Sequence, residues 1–141
     1  LAEGQRSSSL AAARAAVLAW WGQRLGAGAP LLDNGSGLSR HERISAQSLA
    51  QLLRLAWASP LMPELLASLP AVGIDGTLRR SRSQASAHLK TGSLRDVVGI
   101  AGYLHASGGQ RWVLVAIINH ANAGAARPVL DALLDWAARE L

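Results

Sequence analysis

The sequence predicts an α+β fold in which an antiparallel sheet is flanked by helices. Apolar residues recur at helical spacing near both ends of the 141-residue chain, whereas three stretches between residues 88 and 118 have the pattern of strands. The two links between those strands are short, which favours antiparallel hairpins. Because 50% of the residues are hydrophobic, one domain of this length can bury a core without disulfides or metal.

The N-terminal part of the chain is predicted to be helical. Ser7-Ser8-Ser9 offers side-chain oxygens that can cap a helix N-terminus. The helix that follows should have one apolar face, formed by Leu10, Ala13, Val17, Leu18, Trp21 and Leu25. Residues 26–37 contain Pro30 and the Asn34-Gly35 pair, so we predict a loop there.

A second helix is predicted from Ser45 to Trp57, with an apolar face made of Leu49, Leu52, Leu53 and Ala56. The prolines that follow leave room for a short helix only, around Glu64 to Ser68. Residues 73–76 begin and end with glycine, which predicts a turn.

Three strands are then predicted, at His88–Ser93, Val97–His105 and Arg111–Ile118. The third strand is apolar on both faces, so we expect helices to cover both. Gly99 and Gly102 lie in the second strand and indicate a close approach of another backbone. The last helix should run from about Ala126 to Leu141. Its inner face is predicted to comprise Val129, Leu130, Leu133, Leu134 and Ala137, and its solvent face Asp131, Asp135 and Arg139.

Composition excludes several classes of function. The net charge is +5, but Lys90 is the only lysine, so these 141 residues cannot by themselves supply a mechanism that needs two lysines. The arginines are dispersed without stacking aromatics, which argues against a nucleic-acid partner. The absence of cysteine excludes disulfides, thiolate metal sites and a cysteine nucleophile. The apolar run from residue 10 to 21 is too short to span a bilayer, and Arg14 within it argues against a signal peptide.

The segment with the clearest chemistry runs from Lys90 to Ser93, in the sequence Lys-Thr-Gly-Ser, and is called the K-T-G segment below. Lys90 offers a positive charge and Thr91 a hydroxyl, both suited to a carboxylate. Gly92 lets a ligand approach the main chain, and the N–H of Ser93 can point at a developing oxyanion. At a sheet edge, these groups would form part of a serine acyl-transfer site.

The order and spacing of four stretches resemble the C-terminal part of the low-molecular-mass class C penicillin-binding proteins, a family of D-alanyl-D-alanine carboxypeptidases and endopeptidases. The four stretches are residues 34–40 (Asn-Gly-Ser-Gly-Leu-Ser-Arg), residues 69–79 (from Leu-Pro-Ala-Val-Gly-Ile-Asp to Gly-Thr-Leu-Arg), residues 89–94 around the K-T-G segment, and Ala101-Gly102-Tyr103. The resemblance spans roughly residues 31–120.

The resemblance implies the C-terminal part of the helix-and-sheet domain shared by transpeptidases and serine β-lactamases. It also implies a serine-type carboxypeptidase or endopeptidase that acts on peptidoglycan stem peptides through an acyl-enzyme, in the periplasm and without a cofactor. Carried over, Lys90 and Ser93 would be catalytic, and Lys90, Thr91, Gly92 and Ser93 would bind the stem peptide or a β-lactam.

Two motifs of the family are absent from the 141 residues. With one lysine, S-x-x-K would need a serine at position 87, where Ala87 stands. None of the three asparagines is preceded two positions earlier by a serine, which excludes S-x-N. We therefore expect a C-terminal portion that lacks the nucleophile half of its domain and is inactive by itself. A non-catalytic module that binds peptidoglycan peptide or a protein remains the alternative.

Other polar residues have weaker assignments. His88 shares a strand face with Lys90 and is expected either to line the cleft or to be a partly buried strand residue. No metal is assigned, because His41, His105 and His120 lack ligand spacing. The cluster formed by Arg79, Arg80 and Arg82 is either a solvated face or attracts anionic cell-wall polymer. Asp33 and Asp75 are expected to be turn formers, whereas Ser36 and Ser39 have either a loop role or a chemical one. The oligomeric state and the preference between carboxypeptidase and endopeptidase action stay open.

Overall fold

The computed structural model describes residues 9–141. Its helices are α1 (Leu10–Arg24), α2 (Ala46–Trp57), α3 (Met62–Ser68) and α4 (Arg127–Glu140), and its strands are β1 (Ser86–Leu94), β2 (Val97–His105) and β3 (Arg111–Asn119). Two short 3-10 helices cover Gly76–Leu78 and Ala123–Ala126. The predicted α+β class and the predicted order of elements are confirmed. The chain divides between Ser48 and Leu49 into two compact units.

In the first unit, α1 begins as predicted. The Ser9 hydroxyl accepts a hydrogen bond from the N–H of Ala12 at 3.1 Å, while Ser7 and Ser8 lie outside the described residues. Trp21 is buried and its indole N–H donates to the carbonyl of Ala27. The rest of the predicted apolar face is not buried, since Leu10 and Val17 are nearly half exposed.

In the second unit, the described residues form one antiparallel sheet with the strand order β1-β2-β3. Gly102 of β2 lies opposite Leu89 of β1. A Cβ added at Gly102 would lie 2.2 Å from the carbonyl oxygen of His88, and one added at Gly99 would lie 3.0 Å from that of Ala116. The predicted close approach of neighbouring backbones is therefore confirmed at both glycines.

The core of this unit lies between one face of the sheet and α4. Leu89 and Leu104 contribute from the sheet and Leu130 and Leu134 from the helix, and all four side chains are buried. Burying such side chains contributes about 2 kcal/mol each relative to leaving them exposed. Because α4 packs under β1 and β2, it also fixes the position of the K-T-G segment.

Two expectations about packing hold only in part. Helices pack on both faces of the sheet, α4 on one face and the second half of α2 on the other, where the Tyr103 hydroxyl donates to the carbonyl of Leu53. They do not cover β3 completely, since Trp112 and Ile117 remain exposed at 40% and 36%. On α4, Val129 is 62% exposed, and the buried residues of the helix are Leu130, Leu134 and Ala137. Periodicity predicts an apolar arc, but the arc is wider than the strip that contacts the sheet.

The expected solvent face of α4 also needs correction. Asp131 accepts hydrogen bonds from the hydroxyl of Ser81 (2.6 Å) and the N–H of Arg82 (3.1 Å). Asp135 does the same for Ser83 and for the N–H of Gln84. The two carboxylates therefore hold the segment before β1 against the helix, because that segment passes beside the buried strip.

Candidate functional site

The outer edge of β1 is occupied along its first half and open along its second. The N–H of Leu89 donates to the carbonyl of Pro70 (2.9 Å), and the N–H of Val72 donates to the carbonyl of Ala87 (3.0 Å). Beyond Leu89, residues 9–141 place no further strand against this edge. The K-T-G segment therefore begins where the pairing stops.

The backbone groups of Thr91 and Ser93 point to this open edge. In an antiparallel ladder, alternate residues direct their N–H and C=O groups to opposite edges of the strand. Because Leu89 uses its N–H on the outer edge, Thr91 and Ser93 present theirs on the same side. The open edge thus offers an acceptor at Thr91 and a donor at Ser93, the pattern that an extended peptide pairs with.

Lys90 lies on the sheet face opposite α4 and is exposed. Its side chain curls back to the edge, where Nζ donates to the carbonyl oxygen of Thr91 at 2.6 Å. The ammonium group of the only lysine in the sequence is therefore at the open edge, beside the carbonyl of Thr91.

Thr91 and Ser93 direct their side chains to the α4 face. The Thr91 hydroxyl is hydrogen-bonded to the hydroxyl of Thr77 (2.7 Å), which belongs to the 3-10 helix that precedes β1. The Ser93 hydroxyl accepts a hydrogen bond from Nη2 of Arg127 at 3.4 Å, near the long limit for such a bond. Arg127 is the first residue of α4, 34 positions away along the chain.

A groove of about 200 Å³ lies along this side of the K-T-G segment. Thr91, Gly92 and Ser93 form one wall, and Arg80 and Arg127 bring positive charge to the other parts of the lining. Lys90 is not part of the lining, because its side chain leaves the opposite face of the strand. The four residues of the segment therefore surround the edge instead of facing one pocket.

The hydrogen bonds between α4 and the segment before β1 also shape this groove. The hydroxyl of Ser83, together with the N–H of Gln84, holds the pKa of Asp135 below its ordinary value, because both bonds favour the ionised carboxylate. The same attachment, with Asp131, sets the position of Arg80 at the groove. Of the arginine cluster found in the sequence, Arg80 lines the groove and Arg79 and Arg82 do not.

His88 is partly buried, one of the two roles expected for it. Its Nδ1 atom is buried and has no hydrogen-bond partner among the described residues. Its ring lies edge-on to that of His105, with the centroids 6.4 Å apart. Burial lowers the pKa of His105, and the charges of Arg111 and His88 lower it further.

Sequence reasoning missed the two residues of the groove whose side chains bond to those of the K-T-G segment, Thr77 and Arg127. Thr77 lies inside one of the stretches that carry the family resemblance, so the sequence contained a signal for it. Arg127 had no such signal, because only the packing of α4 brings it to Ser93. A larger cavity of about 620 Å³, lined by Trp57, Tyr103 and Arg111 among others, includes no residue of the K-T-G segment.

Among residues 9–141, no helix combines the length and apolar character needed to cross a membrane. The profile of the D-Ala-D-Ala carboxypeptidase 3 (S13) family matches residues 2–140. A D-alanyl-D-alanine carboxypeptidase, DacB, of Haemophilus influenzae is 30% identical over 103 residues, which are 69% of this chain and 22% of that protein. A D-alanyl-D-alanine carboxypeptidase of an Actinomadura species is 30% identical over 105 residues, which are 68% of this chain and 19% of that protein.

Solved structures show the same fold. A predatory endopeptidase of Bdellovibrio bacteriovorus, solved with its immunity protein, superposes with a TM-score of 0.75 at 17% identity over 88% of this chain and 36% of that one. Penicillin-binding protein 4 of Haemophilus influenzae, solved with a β-lactam, superposes with a TM-score of 0.73 at 24% identity over 88% of this chain and 33% of that one. The chain thus spans about a fifth of the length of its curated relatives and about a third of these structures.

Proposed function

Because the chain belongs to the D-Ala-D-Ala carboxypeptidase 3 (S13) family, we propose that it supplies the K-T-G strand of a serine-type D-Ala-D-Ala carboxypeptidase or endopeptidase. The substrate would be a peptidoglycan stem peptide, processed through an acyl-enzyme in the periplasm. The open second half of the β1 edge is the observation that supports this most directly. A main-chain acceptor, a main-chain donor and an ammonium group occur there within four residues.

In this proposal the peptide adds to β1 as a further strand. Its N–H would donate to the carbonyl of Thr91, and its scissile carbonyl would lie at the N–H of Ser93. That N–H stabilises the negative charge that develops on the carbonyl oxygen when a serine attacks the carbon. The amide bond then breaks, D-alanine leaves as the amine, and water later hydrolyses the ester.

Lys90 has two roles in the proposal. Its ammonium group attracts the carboxylate of the substrate to the edge, and its charge biases the proton network around the serine. Since Nζ is bonded to the carbonyl of Thr91, a peptide that pairs with that carbonyl must displace the ammonium group. The displaced group is then free to turn to the substrate. Thr91 would hydrogen-bond the same carboxylate, and Gly92 leaves space for the ligand.

The nucleophile must come from residues that these 141 do not contain. The sequence has neither S-x-x-K nor S-x-N, and the chain spans about a fifth of its relatives. We propose that a further, N-terminal part of the same protein carries both motifs, and that the 141 residues alone are inactive. The missing motifs also favour a second candidate, a module that binds peptidoglycan peptide without turnover.

Labelling with a fluorescent penicillin tests the proposal. The isolated 141-residue chain should not be labelled covalently, whereas the complete polypeptide encoded by its gene should be. In that polypeptide, Lys90→Ala should slow acylation by about 100-fold or more, as expected for loss of a group that assists proton transfer. Arg79→Ala, which removes an exposed charge outside the groove, serves as the control and should be labelled like wild type.

Several results would contradict the proposal. Covalent labelling of the isolated chain would show that the nucleophile lies within it. Equal acylation of wild type and Lys90→Ala would remove the role of Lys90. A complete polypeptide that has no S-x-x-K, and that binds a D-Ala-D-Ala peptide without cleaving it, would establish the binding module instead.

A further inference from the structure

The groove beside the K-T-G segment is positively charged. Arg80 and Arg127 line it, and Asp131 is the acidic residue of the lining. Both carboxylate oxygens of Asp131 already accept hydrogen bonds, from the Ser81 hydroxyl and the Arg82 N–H. In the part of the chain that the structure describes, the guanidinium of Arg127 has no carboxylate partner and contacts the Ser93 hydroxyl.

We propose that Arg127 is a specificity-determining residue that binds the free carboxylate of the substrate on the α4 side of β1, together with the hydroxyls of Ser93 and Thr91. The inference rests on the function proposed above and refines it. Lys90 attracts the anion to the edge, whereas Arg127 holds it in the groove. The selected substrates are peptides with a free carboxylate next to the scissile bond.

The chemistry of the groove suits a carboxylate. A guanidinium presents several N–H donors in one plane and binds a carboxylate with two parallel hydrogen bonds, which a single ammonium group cannot do. The Ser93 hydroxyl accepts a bond from Arg127 and retains its own proton, which it can donate to the anion. The Thr91 hydroxyl donates to the Thr77 hydroxyl in this structure. It can turn its proton to a bound anion instead, and the Thr77 hydroxyl can then donate to it.

Ser93 connects the open edge of β1 with the groove on the α4 side. Its main-chain N–H faces the open edge, where the scissile carbonyl would lie, and its side chain faces the groove and Arg127. A carboxylate one residue beyond the scissile bond would therefore lie at the groove when the carbonyl lies at the edge. Arg127 is also well positioned, because α4 is anchored by the buried side chains of Leu130 and Leu134.

The test compares two probes in the complete polypeptide. The first is a diacetylated L-Lys-D-Ala-D-Ala tripeptide with its free carboxylate, and the second is the same peptide with a C-terminal amide. Arg127→Ala should lower kcat/KM for the free acid by about 10- to 100-fold, the range for one hydrogen bond to a charged group. The value for the amide should change less than about threefold, so the preference for the acid falls. Arg127→Lys should retain part of that preference, and the control Arg79→Ala all of it.

A second measurement does not depend on turnover. In the isolated chain, the free-acid peptide should shift the NMR signals of the Ser93 amide and the Arg127 side chain, and the amide peptide should not. Arg127→Ala should abolish this difference.

The outcomes separate the two proposals. If wild type is active and its preference for the acid survives in Arg127→Ala, the inference about Arg127 is wrong while the proposed function stands. If wild type neither cleaves nor is acylated but the isolated chain binds the acid selectively through Arg127, the proposed enzymatic function fails and the carboxylate site stands. If neither cleavage nor selective binding occurs, both are overturned.

Discussion

Replacing Gly102 by alanine should separate β1 from β2. The new Cβ would lie 2.2 Å from the His88 carbonyl oxygen and 2.9 Å from the Cα of Leu89, whereas a carbon and an oxygen in contact lie about 3.3 Å apart or more. The strands must therefore move apart by about 1 Å. Because the three atoms nearest to the new Cβ all belong to the main chain, no side-chain rotation can relieve the contact.

The expected cost follows from what this displacement disturbs. It weakens the hydrogen bonds on either side of Gly102, at about 1 kcal/mol each, and it moves Leu89, which is fully buried (0% exposed). The φ angle of 156° at Gly102 adds backbone strain of about 1 kcal/mol or more. Together we expect about 3–5 kcal/mol of destabilisation, which at about 3 °C per kcal/mol lowers the melting temperature by roughly 10 °C.

Gly92 provides the matched control, because no described atom lies within 4 Å of a Cβ added there. Gly92→Ala should change the free energy of unfolding by less than about 1 kcal/mol, in either direction. In the complete polypeptide, however, it should slow acylation by penicillin, since the new methyl group lies where the ligand approaches the main chain.

Thermal unfolding followed by circular dichroism measures the first effect, and penicillin labelling measures the second. The reasoning fails if Gly102→Ala melts within about 2 °C of wild type, or if Gly92→Ala is the more destabilising of the two. Acylation of Gly92→Ala at the wild-type rate would show that the ligand does not pass this position.

Two further predictions concern side-chain hydrogen bonds between elements, one between α4 and the segment before β1 and one between β2 and α2. Asp135→Asn should lower the free energy of unfolding by about 1 kcal/mol at neutral pH, because Ser83 and Gln84 lose a charged acceptor. Since the folded-state pKa of Asp135 is lowered, this stabilisation is complete above the unfolded pKa of about 3.9 and is lost as the pH falls through the folded value. Urea titrations should therefore show the difference between wild type and variant shrinking in acid, and a constant difference would contradict the assignment. Tyr103→Phe should lower the free energy of unfolding by about 1 kcal/mol through loss of the hydrogen bond to the Leu53 carbonyl. Burial also raises the pKa of the Tyr103 phenol, so ultraviolet titration should find this tyrosine, the only one in the sequence, ionising above the ordinary range. Ionisation at the ordinary value would contradict its burial.

The sequence was sufficient wherever the controlling interactions are local. Hydrophobic period, prolines and short links act within one element, and they predicted the order of helices and strands and the antiparallel sheet. The two glycines of β2 predicted the close approach at Gly99 and Gly102, because a neighbouring backbone that leaves no space for a side chain is one of the few reasons for glycine inside a strand. The family resemblance likewise rests on side-chain types at a fixed spacing around Lys90, and the family match bears it out.

Tertiary structure alone decided what depends on contacts between distant segments. Asp131 and Asp135 have the spacing of a solvent face, but Ser81 and Ser83 pass beside the helix and bind them. Periodicity likewise could not show how wide a strip of α4 contacts the sheet, so Val129 was misplaced. Arg127 and Ser93 are 34 positions apart along the chain and come into contact only because α4 packs under β1. The pattern of residue types along the sequence carries no information about that distance in space.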